Sequence, residues 1–306
     1  MYMRDFKKKL RLTRFKCKKF INDFVKISRV MKSIMSEINR YRVGVVALLI
    51  IPLIIVLVFY LPADIKTVLK FDLSSFNILT LYTIYTAIFI HQNFNHLLGN
   101  IIVYYLSAVL SYILSILSRS EKWLIKSHLL LFLIIPPLTH FSLILRYGNI
   151  PARSYGFSGI ASGILGLSQV SVLVLLNKSG VINKDGVRKL ASIILLINVL
   201  LIFCRYQQFL PYIYQQSYLI LIPVFLLTVI IINIYMLSKE IASQNLTLRE
   251  ITCFALSCIL ILFTFICIVL CVFPIEVVTE FGRRDIVAHY IGLILGFCLS
   301  FLLFKN

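Results

Sequence analysis

Ser158, His289, His96 and Asn100 are polar side chains set in or at the mouths of long apolar runs, where such groups are costly and require a partner or a role. A serine hydroxyl becomes a useful nucleophile only when a base within hydrogen-bonding reach takes its proton, and histidine is the base suited to neutral pH. Ser158 and His289 meet that minimum. An acyl-transfer oxyanion needs preorganised donors as well, which His96, Asn100 and the backbone N–H of Ser158 can supply.

Each residue sits in a short motif. His91, His96 and Asn100 belong to HQNFNHLLGN, with the last two spaced i, i+4 on one helical face. Ser158 lies in GFSGIASGILG between Gly156 and Gly159, which let a backbone turn tightly and a second chain approach. His289 lies in DIVAHYIGLILG, about one turn into an apolar run that also carries Gly292 and Gly296. Taken singly, each motif has an ordinary reading: an interfacial anchor for the first, and small-xxx-small packing faces for the other two. Two glycine faces packed together would bring Ser158 and His289 into contact.

The elements that must position these groups are membrane-spanning helices. The 306 residues are 60% hydrophobic and 14% charged, against roughly half and a quarter in a soluble domain. Runs long enough to cross about 30 Å of hydrocarbon fall near 43–61, 96–118, 127–145, 156–177, 190–206, 217–237, 251–273 and 286–304, which predicts eight helices and an all-α polytopic membrane protein. Residues 1–42 form a basic tail with 14 of the 31 Lys and Arg, mixing apolar and basic residues as an amphipathic surface helix would. Residues 43–304 form the transmembrane domain. A cytosolic tail with alternating sides puts 24 basic residues inside and 7 outside, as the positive-inside rule requires. The uncharged stretch 73–90 would make the distribution 19 against 12 if it spanned, so it reads as a loop or short helix at the outer interface.

The motifs H-x4-H-x3-N, G-x-S-G and A-H-x-x-G, in this order and each near the outer end of a helix, resemble the rhomboid family of intramembrane serine proteases. The resemblance covers residues 43 to about 178 and 286–304, and implies a six-helix core with about two additional transmembrane helices. It implies Ser158 as nucleophile, His289 as general base and acid, and His96 and Asn100 as oxyanion donors, with His91, Gly156 and Gly159 supporting the site. It also implies that residues 146–155 dip inward as a loop, so that water and an unwound substrate segment reach Ser158. His128 and His140 fall outside the motifs and read as structural.

The pattern departs from the family in several places. Three apolar segments separate the serine and histidine helices where the family core has one, though both numbers are odd and keep His289 on the same side as Ser158. Ser162 stands where the family often has an aromatic against the histidine ring, and the sole tryptophan, Trp123, is expected in a cytosolic loop rather than in a Trp-Arg signature of the first outer loop. Asp285 could cap the last helix or orient the His289 ring.

The expected activity is hydrolysis of a peptide bond in or next to a transmembrane segment of another membrane protein, through a Ser-His dyad, without cofactor or metal. Expected partners are such segments and the lipid bilayer, with no nucleic acid, and the expected location is the cell membrane with a cytosolic N-terminus. The alternative is a non-catalytic rhomboid-like protein that binds or escorts membrane clients, although such proteins typically lack the serine or the histidine. A zinc protease is disfavoured by the absence of H-E-x-x-H, and ion-coupled transport by the absence of Asp and Glu within the spans.

Overall fold

A computed structural model describes residues 48–91, 93–147, 153–154, 156–206, 218–242, 246–272, 278–279, 282–283 and 286–305. The basic tail, Asp285 and most of the expected inward loop at 146–155 lie outside the described residues.

Among the described residues seven helices are long and apolar enough to cross a membrane, which makes this a multi-pass membrane protein. In chain order the helices are α1 (Leu48–Phe59), α2 (Ala63–Leu69), α3 (Thr83–Thr86), α4 (Phe94–Leu117), α5 (Glu121–Tyr147), α6 (Ser158–Lys178), α7 (Lys184–Tyr206), α8 (Tyr218–Ala242), α9 (Leu248–Cys267) and α10 (Ile286–Lys305). The seven are α4 to α10. The first expected span, 43–61, is helical over Leu48–Phe59, and its beginning lies outside the described residues. Among the described residues three long helices, α7 to α9, separate the serine and histidine helices, matching the sequence reading.

Helix α6 is the axis of the bundle. Every residue from Ser158 to Leu176 is buried, and α4, α5, α7, α9 and α10 all pack on it. Gly159, Ala161, Gly163 and Gly166 leave room for this: without a hydrophobic drive between helices in lipid, association depends on close backbone approach and interhelical hydrogen bonds. One such set of bonds is an amide pair buried between α6 and α7. Asn198 Nδ2 donates to Gln169 Oε1 at 2.7 Å, and Gln169 Nε2 donates to Asn198 Oδ1 at 3.3 Å.

Residues 73–90 break into short pieces: three-residue 3-10 turns at Leu73–Ser75, Ile78–Thr80 and Ala87–Phe89, with α3 between the last two. The longest apolar helical stretch there, Ile78–Phe89, is too short to cross the membrane, in keeping with the expectation that it does not span. Its turns close backbone bonds of their own, from Phe76 N–H to the Leu73 carbonyl at 3.4 Å, and from Thr80 to Asn77 and Ile90 to Ala87 at 3.1 Å. Strand β1 (Phe71–Asp72) pairs antiparallel with β2 (Arg153–Ser154), and Tyr82 Oη and Thr86 Oγ1 donate to the carbonyls of Val68 and Leu69 at 3.1 and 2.9 Å. In α5, Pro137 has no N–H to offer the carbonyl of Leu133 one turn back. The Tyr85 hydroxyl supplies that donor at 3.2 Å, so the outer segment is tied to the proline break.

Trp123 is not in a loop. Helix α5 begins two residues before it, and its indole Nε1 donates to the Ser300 carbonyl of α10 at 3.0 Å. A connection of three residues, Ser118 to Ser120, suffices to turn the chain because Arg119 takes positive φ (52°) and Ser120 N–H caps the Ser115 carbonyl at 2.8 Å.

Candidate active site

Ser158 is the first residue of α6, and His289 lies one turn into α10. Their relative height is set by glycine contacts. A Cβ built on Gly159 would lie 3.3 Å from the Ala288 carbonyl, one on Gly292 would lie 2.0 Å from the Gly159 carbonyl, and one on Gly296 would lie 2.0 Å from the Gly163 carbonyl. The contacted residue numbers rise together along both helices, so α6 and α10 run parallel, backbone against backbone. That register places Ser158, beside Gly159, level with His289, beside Ala288. Ser158 and His289 are 9% and 8% exposed, whereas Leu167 and Val170 deeper in α6 are wholly buried. The pair therefore sits at the rim of the sealed interior.

The HQNFNHLLGN motif meets the residues just before Ser158. Asn93 Oδ1 caps α4 by accepting from His96 N–H at 2.8 Å. The His96 ring lies against Gly156: a Cβ there would be 3.2 Å from His96 Cε1, and Gly156 has φ of +118°, a conformation only glycine adopts without strain. His91 Nδ1 faces the Phe89 carbonyl at 3.3 Å, so it carries the proton and Nε2 is an acceptor. Nε2 accepts from Asn100 Nδ2 at 2.9 Å and from Phe157 N–H at 3.4 Å. That tautomer also fixes the orientation of the Asn100 amide, whose second N–H remains available to donate elsewhere. The His91 and His96 rings meet edge to face with centroids 5.3 Å apart.

The entry into α6 is anchored further by features the sequence reading did not identify. Gly156 N–H donates to the Ala87 carbonyl at 3.1 Å, linking the outer segment to the serine turn. Phe157 is fully buried, its ring 5.3 Å from Tyr104, 5.9 Å from Phe132 and 6.5 Å from Phe89. The aromatic content of 73–90 and the i, i+4 spacing of Asn100 and Tyr104 were the available signals. Phe157 supplies no side-chain cap to α6, so the first-turn N–H groups and the positive end of the helix dipole are directed at the Ser158 region, where an anion is stabilised.

His128 and His140 each bond through Nδ1 to a carbonyl one turn back in α5, Leu124 at 3.2 Å and Pro136 at 2.7 Å, a structural use. Ser162 is buried in α6. Among the described residues no group of three or more His, Cys, Asp or Glu is placed to hold a metal ion.

Burial pushes the His91 imidazole from 6.5 down to about 4, partly opposed by its bond to the Phe89 carbonyl. The unfolded chain therefore takes up a proton at His91 below about pH 6.5 that the folded chain refuses until about pH 4. Stability from this group is complete above pH 6.5 and declines as pH falls toward 4, by up to about 3 kcal/mol. Thermal melts in detergent between pH 7.5 and 4.5 should show a steeper decline for the wild type than for His91→Gln; parallel declines would contradict this origin.

No family model, curated protein or solved structure matches this chain.

Proposed function

We propose that this chain is an intramembrane serine endopeptidase of the rhomboid type, residing in the cell membrane with its basic tail in the cytosol. The observation that carries the reading is the parallel glycine contact between α6 and α10, which sets Ser158 and His289 at one height. In the proposed reaction His289 accepts the Ser158 hydroxyl proton as Oγ attacks the scissile carbonyl. The resulting oxyanion is held by the Ser158 backbone N–H, His96 and the second N–H of Asn100. His289 then delivers its proton to the departing amine, leaving an acyl-enzyme. Water then attacks the ester while giving a proton to His289, and His289 passes that proton to Ser158 Oγ as the bond to the acyl carbon breaks, releasing the acid product and restoring both residues.

His91 acts through Asn100, accepting from one of its amide N–H groups and so fixing the orientation of the other. The substrate would be a transmembrane segment with a locally unstable helix, because carbonyls already hydrogen-bonded within a helix are shielded from attack. The 24 basic residues counted on the tail side support the orientation.

The test is labelling of the detergent-solubilised protein with a fluorophosphonate probe. Wild type should label, whereas Ser158→Ala and His289→Ala should each lose labelling by at least about 100-fold. Equal labelling of all three, or none in any, would replace this reading with a client-binding role.

A further inference from the structure

We propose that a cavity at the far end of α6 from Ser158 holds the headgroup of an anionic phospholipid. The cavity has a volume of about 280 Å³ and lies where the end of α6, the start of α7 and the last turns of α10 meet. Its lining includes Lys178, Lys184, Arg188 and Asn177, together with Phe301 and Phe304. Helix α6 has 21 residues, which at 1.5 Å each is about 30 Å, one hydrocarbon thickness. The cavity is thus at headgroup depth in the leaflet opposite the serine, whichever way the protein faces.

Its chemistry has two halves. Three cations offer charge-assisted bonds to a phosphate diester. One carboxylate, Asp185, opposes them through its pair with Arg188 at 2.9 Å, and Lys178 and Lys184 carry no ion pair among the described residues. The first-turn N–H groups of α7 do not carry the site, because Asn183 Oδ1 already accepts from Asp185 and Gly186 N–H at 2.9 Å. The other half is apolar. Phe301 and Phe304 are half-buried, with Phe301 stacked on Phe297 at 6.2 Å and Phe304 edge-on to Trp123 at 6.3 Å. A free phosphate has no use for an aromatic wall; a phosphate joined to acyl chains uses both halves.

The chain's single tryptophan is therefore a built-in reporter. The full-length protein in a neutral detergent is titrated with dioctanoyl phosphatidylglycerol, dioctanoyl phosphatidylcholine or inorganic phosphate while Trp123 emission is followed. Saturable change with phosphatidylglycerol alone is expected, with affinity about fivefold weaker for each of Lys178→Gln and Lys184→Gln, both melting as wild type does. In parallel, phosphorus counting after purification from an equimolar mixture of the two lipids should show phosphatidylglycerol retained preferentially, less so in the variants. An equal response to phosphatidylcholine, an equal response to inorganic phosphate, or unselective retention would overturn the proposal. The cavity shares no residue with the Ser158 site, so either reading can fail alone.

Discussion

Replacing Gly292 with Ala is expected to destabilise the protein by about 3 kcal/mol, the upper end of what one added methyl costs in a packed interior, and to abolish fluorophosphonate labelling. The added methyl would sit 2.0 Å from the Gly159 carbonyl oxygen, whereas non-bonded carbon contacts settle near 3.5 Å. The atom in the way is backbone in the middle of a parallel helix pair, so relief requires the helices to separate by about 1.5 Å. Because His289 rides on α10 and Ser158 on α6, separation would also take the proposed base away from the proposed nucleophile. Gly99→Ala is the matched control: nothing lies within 4 Å of a Cβ at Gly99, so the helix-propensity gain of Ala should leave stability equal or up to about 1 kcal/mol higher. Thermal melts and labelling of the two variants decide the matter; a Gly292→Ala protein that melts and labels like wild type would rule out the close contact.

Phe157→Ala should cost about 3 kcal/mol or more. Its ring touches aromatics from three separate elements, Phe89, Tyr104 and Phe132, and truncation leaves a void whose walls lose their dispersion contacts. The functional consequence exceeds the stability loss, because the Phe157 N–H is bonded to His91 and its carbonyl to Ala161 N–H. Loss of the anchor lets the Ser158 turn drift relative to His96 and Asn100. Phe157→Leu, which keeps most of the volume, should cost under about 1.5 kcal/mol and retain measurable labelling. A temperature series of melts, with labelling rates taken well below each midpoint, separates positioning from unfolding. Equal rates for wild type and Phe157→Ala there would mean that the ring serves packing alone.

Much of this arrangement was legible in the chain itself. The long apolar runs determined the spans, since about 20 apolar residues in lipid have no alternative to a helix that satisfies its own backbone. Boundaries were less legible: α5 starts at Glu121 and α7 at Lys184, earlier than hydropathy places them, because a helix continues into headgroup depth wherever its charged residues can reach water. The reading of 73–90 as non-spanning came from charge arithmetic, while the way it folds, in short turns tied to Val68, Leu69 and Leu133, depended on partners distant in sequence.

The sequence by itself determined which polar groups are placed in apolar surroundings and which glycines could admit a neighbour, because residue type and helical period need no knowledge of the partner. Only the tertiary structure decided which glycine faces meet, that α6 and α10 are parallel in a register pairing Gly159 with Ala288 and Gly292, and that Phe157 closes the turn among three aromatics. The reason is physical: in lipid an apolar face has no preferred partner until backbones can approach, and shape matched over many residues, rather than any local pattern, selects the contact.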